Sequence, residues 1–315
     1  MGTVVLSIDA ELGWGFRDYS AAERPAERVA RSRWGWNRAV ETLAEFDIPA
    51  TWAVVGHLFE SECTGAHVGH PTPPGWFAHE RGENPMDPQY RYAPELLADL
   101  ASSDVGHDIG AYTYSDVDFS ADYATEALAR AECDRTTEAA EAAGVQMRSF
   151  VFPHNRVGHR EILAESGFTC YRGPGPEPER RLDGSYSAPL RKLARATVLP
   201  DPEPLVEPSL DEYGLVNIPP SLYLFGFKGT ARQVLAATVG DPVVRQARLG
   251  IDAAARREGI YHLCLRLNDL TTEADLNRFR AVCAYLDSVR AEEGLTVETM
   301  RSVADRVVSE DFTVA

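Results

Sequence analysis

The sequence predicts an α/β fold built on a mainly parallel β-sheet, either open or closed as an irregular barrel. Short β-rich apolar runs alternate with segments of helical periodicity along most of the chain, as they do in consecutive β-α-β units. The first run, residues 3–9 (TVVLSID), ends in an acidic residue. Parallel α/β folds place their chemistry at the carboxyl ends of strands, so Asp9 is the first candidate functional residue.

The first half of the chain continues this alternation. A helix with Trp36, Val40 and Leu43 on one face precedes a strand at 50–55. A helix at 92–101 then leads to a short strand at 107–110. The next helix, at 123–143, is closed by a glycine, and a buried strand at 147–153 and a short helix at 161–166, also closed by a glycine, follow.

The second half begins with a proline- and charge-rich passage that interrupts the pattern. An apolar stretch at 214–227 follows it, and then a helix at 242–258, a strand at 260–267 and a helix at 274–291. A last short strand and helix occupy 295–309. We expect one domain over 1–315, with insertions at about 61–92 and 174–208. Whether 174–208 covers a groove as a lid is left open.

Composition narrows the classes of partner. The net charge is −17, and only two of the 31 basic residues are lysines, Lys192 and Lys228. This balance resembles salt-adapted proteins, or alternatively an acidic protein from a GC-rich genome, and it opposes nucleic acid as a partner. No apolar run approaches the roughly 20 residues that span a bilayer, and no signal peptide is evident. We therefore expect a cytoplasmic protein without a membrane partner.

The segment 107–119 (HDIGAYTYSDVDF) has the frame of a metal-binding motif. It resembles the HEIGCHTFSHxDF stretch of the polysaccharide deacetylases, the NodB-homology or carbohydrate esterase family 4-like group, in which two histidines four residues apart hold a zinc-like ion. Tyr112 and Asp116 occupy those two positions here. The frame indicates the family, and the two substitutions change the residues on which its chemistry depends.

Four further stretches resemble the same family in the same order. They are SIDAELGWG at 7–15, WAVVGHLFE at 52–60, SFVFPHNRVGH at 149–159, and the pair formed by 217–225 and HLCLRLNDL at 262–270. The resemblance covers about residues 3–305. It implies a distorted (β/α) barrel, and the acidic composition suggests a haloarchaeal-type member.

The resemblance implies roles for several acidic residues. Asp9 matches the general base, and Glu11 stands near the acidic metal ligand of the family. Such hydrolases use a metal to acidify water and a carboxylate to take its proton. Asp116 is able to coordinate a divalent ion such as Zn²⁺, Mn²⁺ or Mg²⁺, whereas Tyr112 is a poor ligand because a phenol with a pKa of about 10 is almost wholly protonated. The alternatives are a helix cap or loop contact for Asp9 and a solvated Glu11.

Other positions concern the substrate groove. His154 stands in place of an arginine of the family, and Arg266 in place of its late catalytic histidine; both, with the neighbouring Asn155, are candidates for substrate binding. Trp14 is a candidate sugar-stacking platform, with core packing as the alternative. The histidines at 67, 70 and 79 lie in the first insertion, where we expect a solvated loop rather than a metal site.

Two functions remain open. The chain is either a hydrolase of a C–N bond in an N-acetylated amino sugar or sugar derivative, or a catalytically inactive pseudoenzyme that keeps the groove as a carbohydrate-binding or regulatory module. Both predict a carbohydrate-like ligand. A divalent metal would accompany the first, and the altered positions Tyr112, Asp116 and Arg266 make its binding doubtful.

Overall fold

A computed structural model describes residues 2–17, 26–63, 67–80, 85–175, 204–226 and 240–314. Ten strands lie in these ranges: β1 Thr3–Ala10, β2 Thr51–Val54, β3 Asp108–Ala111, β4 Ser149–Val151, β5 Cys170–Arg172, β6 Ser209–Leu210, β7 Val216–Asn217, β8 Leu222–Tyr223, β9 Ile260–Arg266 and β10 Thr296–Glu298. The α-helices there are α1 Ala26–Glu45, α2 Pro88–Arg91, α3 Pro94–Ala101, α4 Glu126–Ala142, α5 Arg160–Glu165, α6 Pro242–Arg256, α7 Glu273–Glu293 and α8 Met300–Val314.

The strands form one sheet in the order β6-β7-β5-β4-β3-β2-β1-β9-β8, with β10 paired to β1. Every neighbouring pair is parallel except β6 and β7. β7 and β8 lie near opposite ends of this order, yet residues 218–221 alone connect them. A connection this short spans at most ~17 Å, so the sheet must curl until its two ends come close together. The prediction of an α/β fold with a distorted barrel is confirmed.

β1 is the central strand of the barrel wall. All eight of its residues are buried, because β9 flanks it on one side, β10 and β2 pair with its first and second halves on the other, and helices cover the outer surface. This explains why the strand is an almost continuous apolar run rather than an alternating one. Behind it, the rings of Trp36 in α1 and Trp52 in β2 lie 5.4 Å apart in the core.

Helix ends follow the chemistry of their cap residues. The Thr125 side chain accepts a hydrogen bond from the backbone N–H of Leu128 at the start of α4, and Asp241 does the same for α6, whose first residue is a proline. α7 ends at Gly294, which adopts the left-handed conformation with φ 69°. These cap residues define where the helices between the strands begin and end.

The structure differs from the sequence-based expectations in its shortest strands. β6 and the division of 214–227 into β7 and β8 were not predicted, because two-residue strands carry no period that a sequence pattern can reveal. The predicted second insertion falls mostly at 176–203, outside the described residues, and the question of a lid falls there too. Among the described residues no helix is long and apolar enough to span a membrane.

Candidate functional site

The predicted site lies where the parallel strands end. Asp9 is the second-last residue of β1, and its Cα pairs in register with that of Arg266, the last residue of β9. Arg172 is the last residue of β5. Since the carboxyl ends of parallel strands meet at one mouth of the barrel, residues far apart in sequence converge there.

A buried arginine holds the Asp9 carboxylate through both oxygens. Arg172 Nη1 lies 2.7 Å from Asp9 Oδ1, and Nη2 donates to Oδ2 at 2.8 Å. Arg172 also donates to Ser7 Oγ at 2.8 Å and, through Nε, to Asn155 Oδ1 at 2.9 Å. Burial alone would lower the pKa of the guanidinium, but the charge and hydrogen bond of Asp9, together with Cys264 and Tyr112, raise it above its ordinary value. The pair is a buried ion pair with one direct hydrogen bond, from Arg172 Nη2 to Asp9 Oδ2, and a close contact of Nη1 with Oδ1.

A neutral histidine supports this unit from behind. Burial, followed by the charge of Arg172, lowers the pKa of His262 to about 3. The Nδ1 of the neutral ring lies 3.0 Å from the carbonyl of Ile218, so Nδ1 carries the proton and donates. Nε2 then accepts from Ser7 Oγ at 2.8 Å, and Ser7 in turn accepts from Arg172. The orientation of Arg172 therefore depends on an uncharged His262.

Glu11, the second carboxylate in the stretch 7–15, also has a guanidinium partner. Glu11 is only 1% exposed, and Arg266 donates to both of its oxygens, from Nε at 3.0 Å and from Nη2. Asn268 donates to Glu11 Oε2 at 3.3 Å and to the carbonyl of Leu12 at 2.9 Å. A side chain at Gly15 would collide with the Glu11 carboxylate, so this glycine leaves room for the cluster.

The two positions that hold histidines in the resembled family differ in their surroundings. Tyr112 is 3% exposed. Burial, and then the negative charges of Glu11, Asp116 and Asp9, raise the pKa of its phenol well above the ordinary value, so it remains protonated. Asp116 lies in a left-handed turn with φ 61°. Tyr112 therefore lies close enough to these three carboxylates for their charges to act on its phenol.

The residues at the mouth do not fit the family's metal. A divalent ion bound by Glu11 and Asp116 would need a free oxygen on Glu11. Arg266 already donates to both oxygens of that carboxylate. Asp9 is likewise engaged by Arg172. Two cations that cannot deprotonate stand within contact of these ligands, and they would repel the ion. The ligand roles of Glu11 and Asp116 stay predictions that this geometry opposes.

The candidate substrate-binding residues differ in their exposure to solvent. The side chain of Arg266 is 32% exposed, so it can contact a ligand. His154 is exposed and Asn155 is partly exposed, next to Arg172. Trp14 has no exposed surface, and its indole N–H donates to the carbonyl of Arg91 at 3.1 Å. A ring without an exposed face cannot stack on a sugar, so the structure argues against that role and in favour of core packing.

The expectation of a solvated insertion around the histidines is wrong. The side chains of His67 and His70 are 5% and 3% exposed, and His79 is 4% exposed as a residue. His70 Nε2 lies 2.7 Å from an oxygen of the buried Glu132 in α4, and Trp76 donates to Ser115 Oγ at 2.9 Å. Polar residues in a Gly- and Pro-rich segment looked solvated, but here they pack on the barrel.

Sequence reasoning missed Arg172, Asn268 and His262 as members of the site. Arg172 follows the β-rich residues 168–171 (FTCY) just as Asp9 ends its own β-rich run, so the rule that polar residues at strand ends face the mouth would have found it. Asn268 and His262 lie within the quoted closing motif, two residues after and four before Arg266. Their partners depend on register and could not be read from spacing.

A cavity of about 480 Å³ adjoins the mouth on the side of β5 and β7. Its lining includes His159, the last residue of the stretch 149–159, the following Arg160, Tyr171, which precedes Arg172, and Asn217. The backbone N–H of Gly173 donates to Asn217 Oδ1 at 3.0 Å. The cavity therefore lies beside the carboxylates rather than over them.

No family model matches the chain, and no curated protein relative matches it. Solved structures do. One named as a polysaccharide deacetylase from Mycobacterium smegmatis aligns with a TM-score of 0.63 at 19% identity, over 98% of this chain and 91% of the other. The PuuE allantoinase aligns at 0.58 and 14%, over 96% and 89%. One named as a polysaccharide deacetylase from Pseudomonas aeruginosa PAO1 aligns at 0.56 and 13%, over 96% and 89%. The chain has the NodB-like deacetylase fold.

Proposed function

We propose that the protein is a carbohydrate-binding module with the deacetylase fold, which recognises a sugar derivative at the barrel mouth and does not hydrolyse it with a metal. One observation supports this most strongly. In the stretch 7–15, a guanidinium contacts both oxygens of each carboxylate: Arg172 holds Asp9, and Arg266 holds Glu11. The groups that would hold a metal and accept a proton are thereby neutralised.

The burial of Asp9 supports the same conclusion. The residue is 6% exposed, and its Oδ1 is buried against Arg172. A general base must come within hydrogen-bond reach of the water that it deprotonates. The Arg172 guanidinium already contacts both oxygens of Asp9, so the carboxylate is engaged where that water would have to bind.

Arg266 and Tyr223 give the ligand site its chemistry. The guanidinium of Arg266 is partly exposed and offers donors that suit hydroxyl, carboxylate or phosphate oxygens. Tyr223 is partly buried, and its hydroxyl donates to Asp269, which also pairs with Arg28. An aromatic ring beside a fixed cation suits an amino sugar or sugar nucleotide. The preferred ligand is therefore a hydroxyl-rich molecule with an acidic group.

A second candidate is an amide hydrolase that works without a metal at this mouth. It is favoured by the retention of Asp9 at the end of β1 and by the exposed cation of Arg266 in the adjacent register. Asp9 would take a proton from water as the water attacks the acetyl carbonyl, and Arg266 would stabilise the negative oxygen. Asp9 would return that proton to the departing amine, which leaves acetate and a free amino sugar.

One pair of assays separates the two candidates. Binding of UDP-N-acetylglucosamine and of N-acetylglucosamine oligomers is measured by calorimetry, and acetate release is followed with the same ligands. We expect binding, at least tenfold weaker in the double variant Glu11→Gln/Arg266→Gln, and no acetate above the level of Asp9→Asn. The double variant removes the cation without leaving Glu11 charged and unpaired. Acetate release by the native chain that Asp9→Asn abolishes would establish the hydrolase instead.

A further inference from the structure

A second polar cluster lies beside the barrel mouth, outside the site described above. It contains His57, from the 3₁₀ turn Gly56–Phe59 after β2, and Cys63, His67 and Glu80 from the first insertion. One ligand atom from each of the four residues, two imidazole nitrogens, a thiol sulfur and a carboxylate oxygen, falls within 4.8 Å of all the others. The sequence places them up to 23 residues apart, so only the folding of the insertion brings them together.

The spacing of the ligand atoms is close to that of a metal centre. His57 Nε2 lies 2.9 Å from Glu80 Oε1, His67 Nε2 lies 2.6 Å from Glu80 Oε2, and Cys63 Sγ lies 3.4 Å from His67 Nε2. Tetrahedral zinc, with bonds of about 2.0–2.3 Å, holds its ligand atoms roughly 3.3–3.7 Å apart. Shifts of less than about 1 Å in Glu80 and the histidines would produce that geometry.

His57 supplies an independent sign of a missing partner. Its side chain is fully buried, and neither ring nitrogen has a hydrogen-bond partner among the described residues. Glu80 Oε1 is also buried without a hydrogen bond, although it lies 2.9 Å from His57 Nε2. The two atoms face each other at a distance that suits a hydrogen bond but without its angle. Buried polar atoms left in this way are costly unless something else satisfies them.

Aromatic side chains surround much of the cluster and pack against its rings. The His57 ring lies 4.4 Å from that of Trp14 and 5.0 Å from that of Tyr114, and the His67 ring stacks on Phe77 at 3.6 Å. Arg91 Nη1 is 3.7 Å from Glu80 Oε1 but donates to Tyr92 Oη at 2.9 Å. An apolar shell of this kind is typical of sites in which the metal, rather than water, satisfies the ligands.

We propose that His57, Cys63, His67 and Glu80 bind one Zn²⁺ ion as a structural centre that fastens the first insertion to the barrel. Thiolate and imidazole ligands select zinc over Mg²⁺ or Ca²⁺. Four protein ligands fill a tetrahedral shell and leave no position for a reacting water. With Cys63 deprotonated on binding, its charge and that of Glu80 balance the ion, which permits burial of the centre. The site is separate from Glu11 and Asp116, and the proposal does not depend on the proposed function.

The test measures metal content rather than activity. The untagged full chain is purified without chelator from zinc-supplemented cells, and zinc per chain is determined by mass spectrometry. We expect about one ion per chain. We expect Cys63→Ser and His67→Gln to lose most of it. The Co²⁺-substituted native chain should show a thiolate-to-cobalt charge-transfer band that Cys63→Ser removes.

Two control variants make the result specific. Glu11→Gln/Asp116→Asn alters the family's metal position and should keep the zinc. His70→Gln alters a histidine of the same insertion that contacts Glu132 instead of the cluster, and it should also keep the zinc. The proposal is overturned if the native chain retains no zinc and its thermal midpoint is unchanged by added Zn²⁺, or if Glu11→Gln/Asp116→Asn loses the ion while Cys63→Ser keeps it.

Discussion

Two polar clusters with buried carboxylates lie near the barrel mouth, and they differ in the partners of those carboxylates. Glu11 and Asp9 are each held by a guanidinium at hydrogen-bonding distance, whereas Glu80 lies against two imidazoles, with the Cys63 thiol in the same cluster and the guanidinium of Arg91 farther away at 3.7 Å. Trp14 links the regions, since it follows Glu11 by three residues and its ring contacts that of His57. In our proposal, carboxylates at the mouth are occupied by cations of the protein itself, whereas the carboxylate of Glu80 is available to a metal.

The difference follows from how each partner handles charge. A guanidinium stays protonated at any ordinary pH, so it occupies a carboxylate permanently and cannot become a ligand. Imidazole and thiol give up protons and offer lone pairs, so a cation can take the place of the proton. We therefore propose that the partner of each carboxylate, rather than the resemblance to a metal-dependent family, decides where a metal binds.

The largest expected effect concerns the buried pair at the mouth. Arg172→Met should lower the free energy of unfolding by about 3–5 kcal/mol, because it leaves Asp9 charged and unpaired in a buried position. Denaturant titration measures this. The double variant Asp9→Leu/Arg172→Met should recover most of the loss. A cost below about 1 kcal/mol in the single variant would mean that water reaches Asp9 and that the pair is not a closed unit.

Zinc should stabilise the second region by a comparable amount. With free Zn²⁺ at 100 to 1,000 times the dissociation constant, the gain is about 2.7–4.1 kcal/mol. Stripping the ion with a chelator should therefore lower the thermal midpoint, and the metal-stripped chain should match Cys63→Ser. If the chelator lowered the thermal midpoint of Cys63→Ser as much as that of the native chain, the ion would have to bind elsewhere.

The pH dependence of stability should reveal the neutral histidines. His262 and His107 have folded pKa values lowered to about 3 and about 4, in both cases chiefly by burial. Since the unfolded chain binds protons at about 6.5, their contribution is complete above that pH and is lost as pH falls. Each histidine adds a slope of up to about 1.4 kcal/mol per pH unit.

His107→Asn isolates one of these contributions. The backbone N–H of Ala50 donates to His107 Nδ1 at 3.2 Å, and an asparagine oxygen can accept that bond without titrating. Between pH 7 and pH 4, the free energy of unfolding, measured by denaturation, should fall less steeply with falling pH in the variant than in the native chain. The same slope in both chains would contradict a neutral, buried His107.

The smallest expected effect tests the role of Trp14. Trp14→Phe removes the indole N–H that donates to Arg91 and keeps an aromatic ring against His57 and His79. We expect a loss of about 1 kcal/mol in stability and unchanged affinity for sugar ligands, measured by denaturation and calorimetry. A tenfold loss of sugar affinity with no change in stability would restore Trp14 as a stacking platform.

The sequence predicts the scaffold better than the site. Strand and helix periods, with closing glycines such as Gly144 and Gly167, which adopt positive φ, predict the α/β fold, because each element is specified by neighbouring residues. Asp9 was found because it ends an apolar run. The partners of Asp9 and Glu11 were not predicted, since Arg172 lies 163 residues from Asp9 and Arg266 lies 255 from Glu11. Only sheet order and register bring such residues together.

The insertion histidines were misjudged for a related reason. A Gly- and Pro-rich segment has no period from which burial can be inferred. His67 and Glu80 become buried because aromatic residues of the same segment, Phe77 among them, pack towards Trp14 and Tyr114. Metal-ligand residue types at irregular spacing therefore remained ambiguous until their side chains could be placed.

Anomalous diffraction at the zinc edge from crystals of the native chain, grown without chelator, compares the two regions most directly. We predict one strong peak within bonding distance of His57, Cys63, His67 and Glu80, and no peak between Glu11 and Asp116, where Arg266 should still hold the Glu11 carboxylate. A peak at Glu11 and Asp116 with Arg266 displaced, and none at the insertion cluster, would contradict the account.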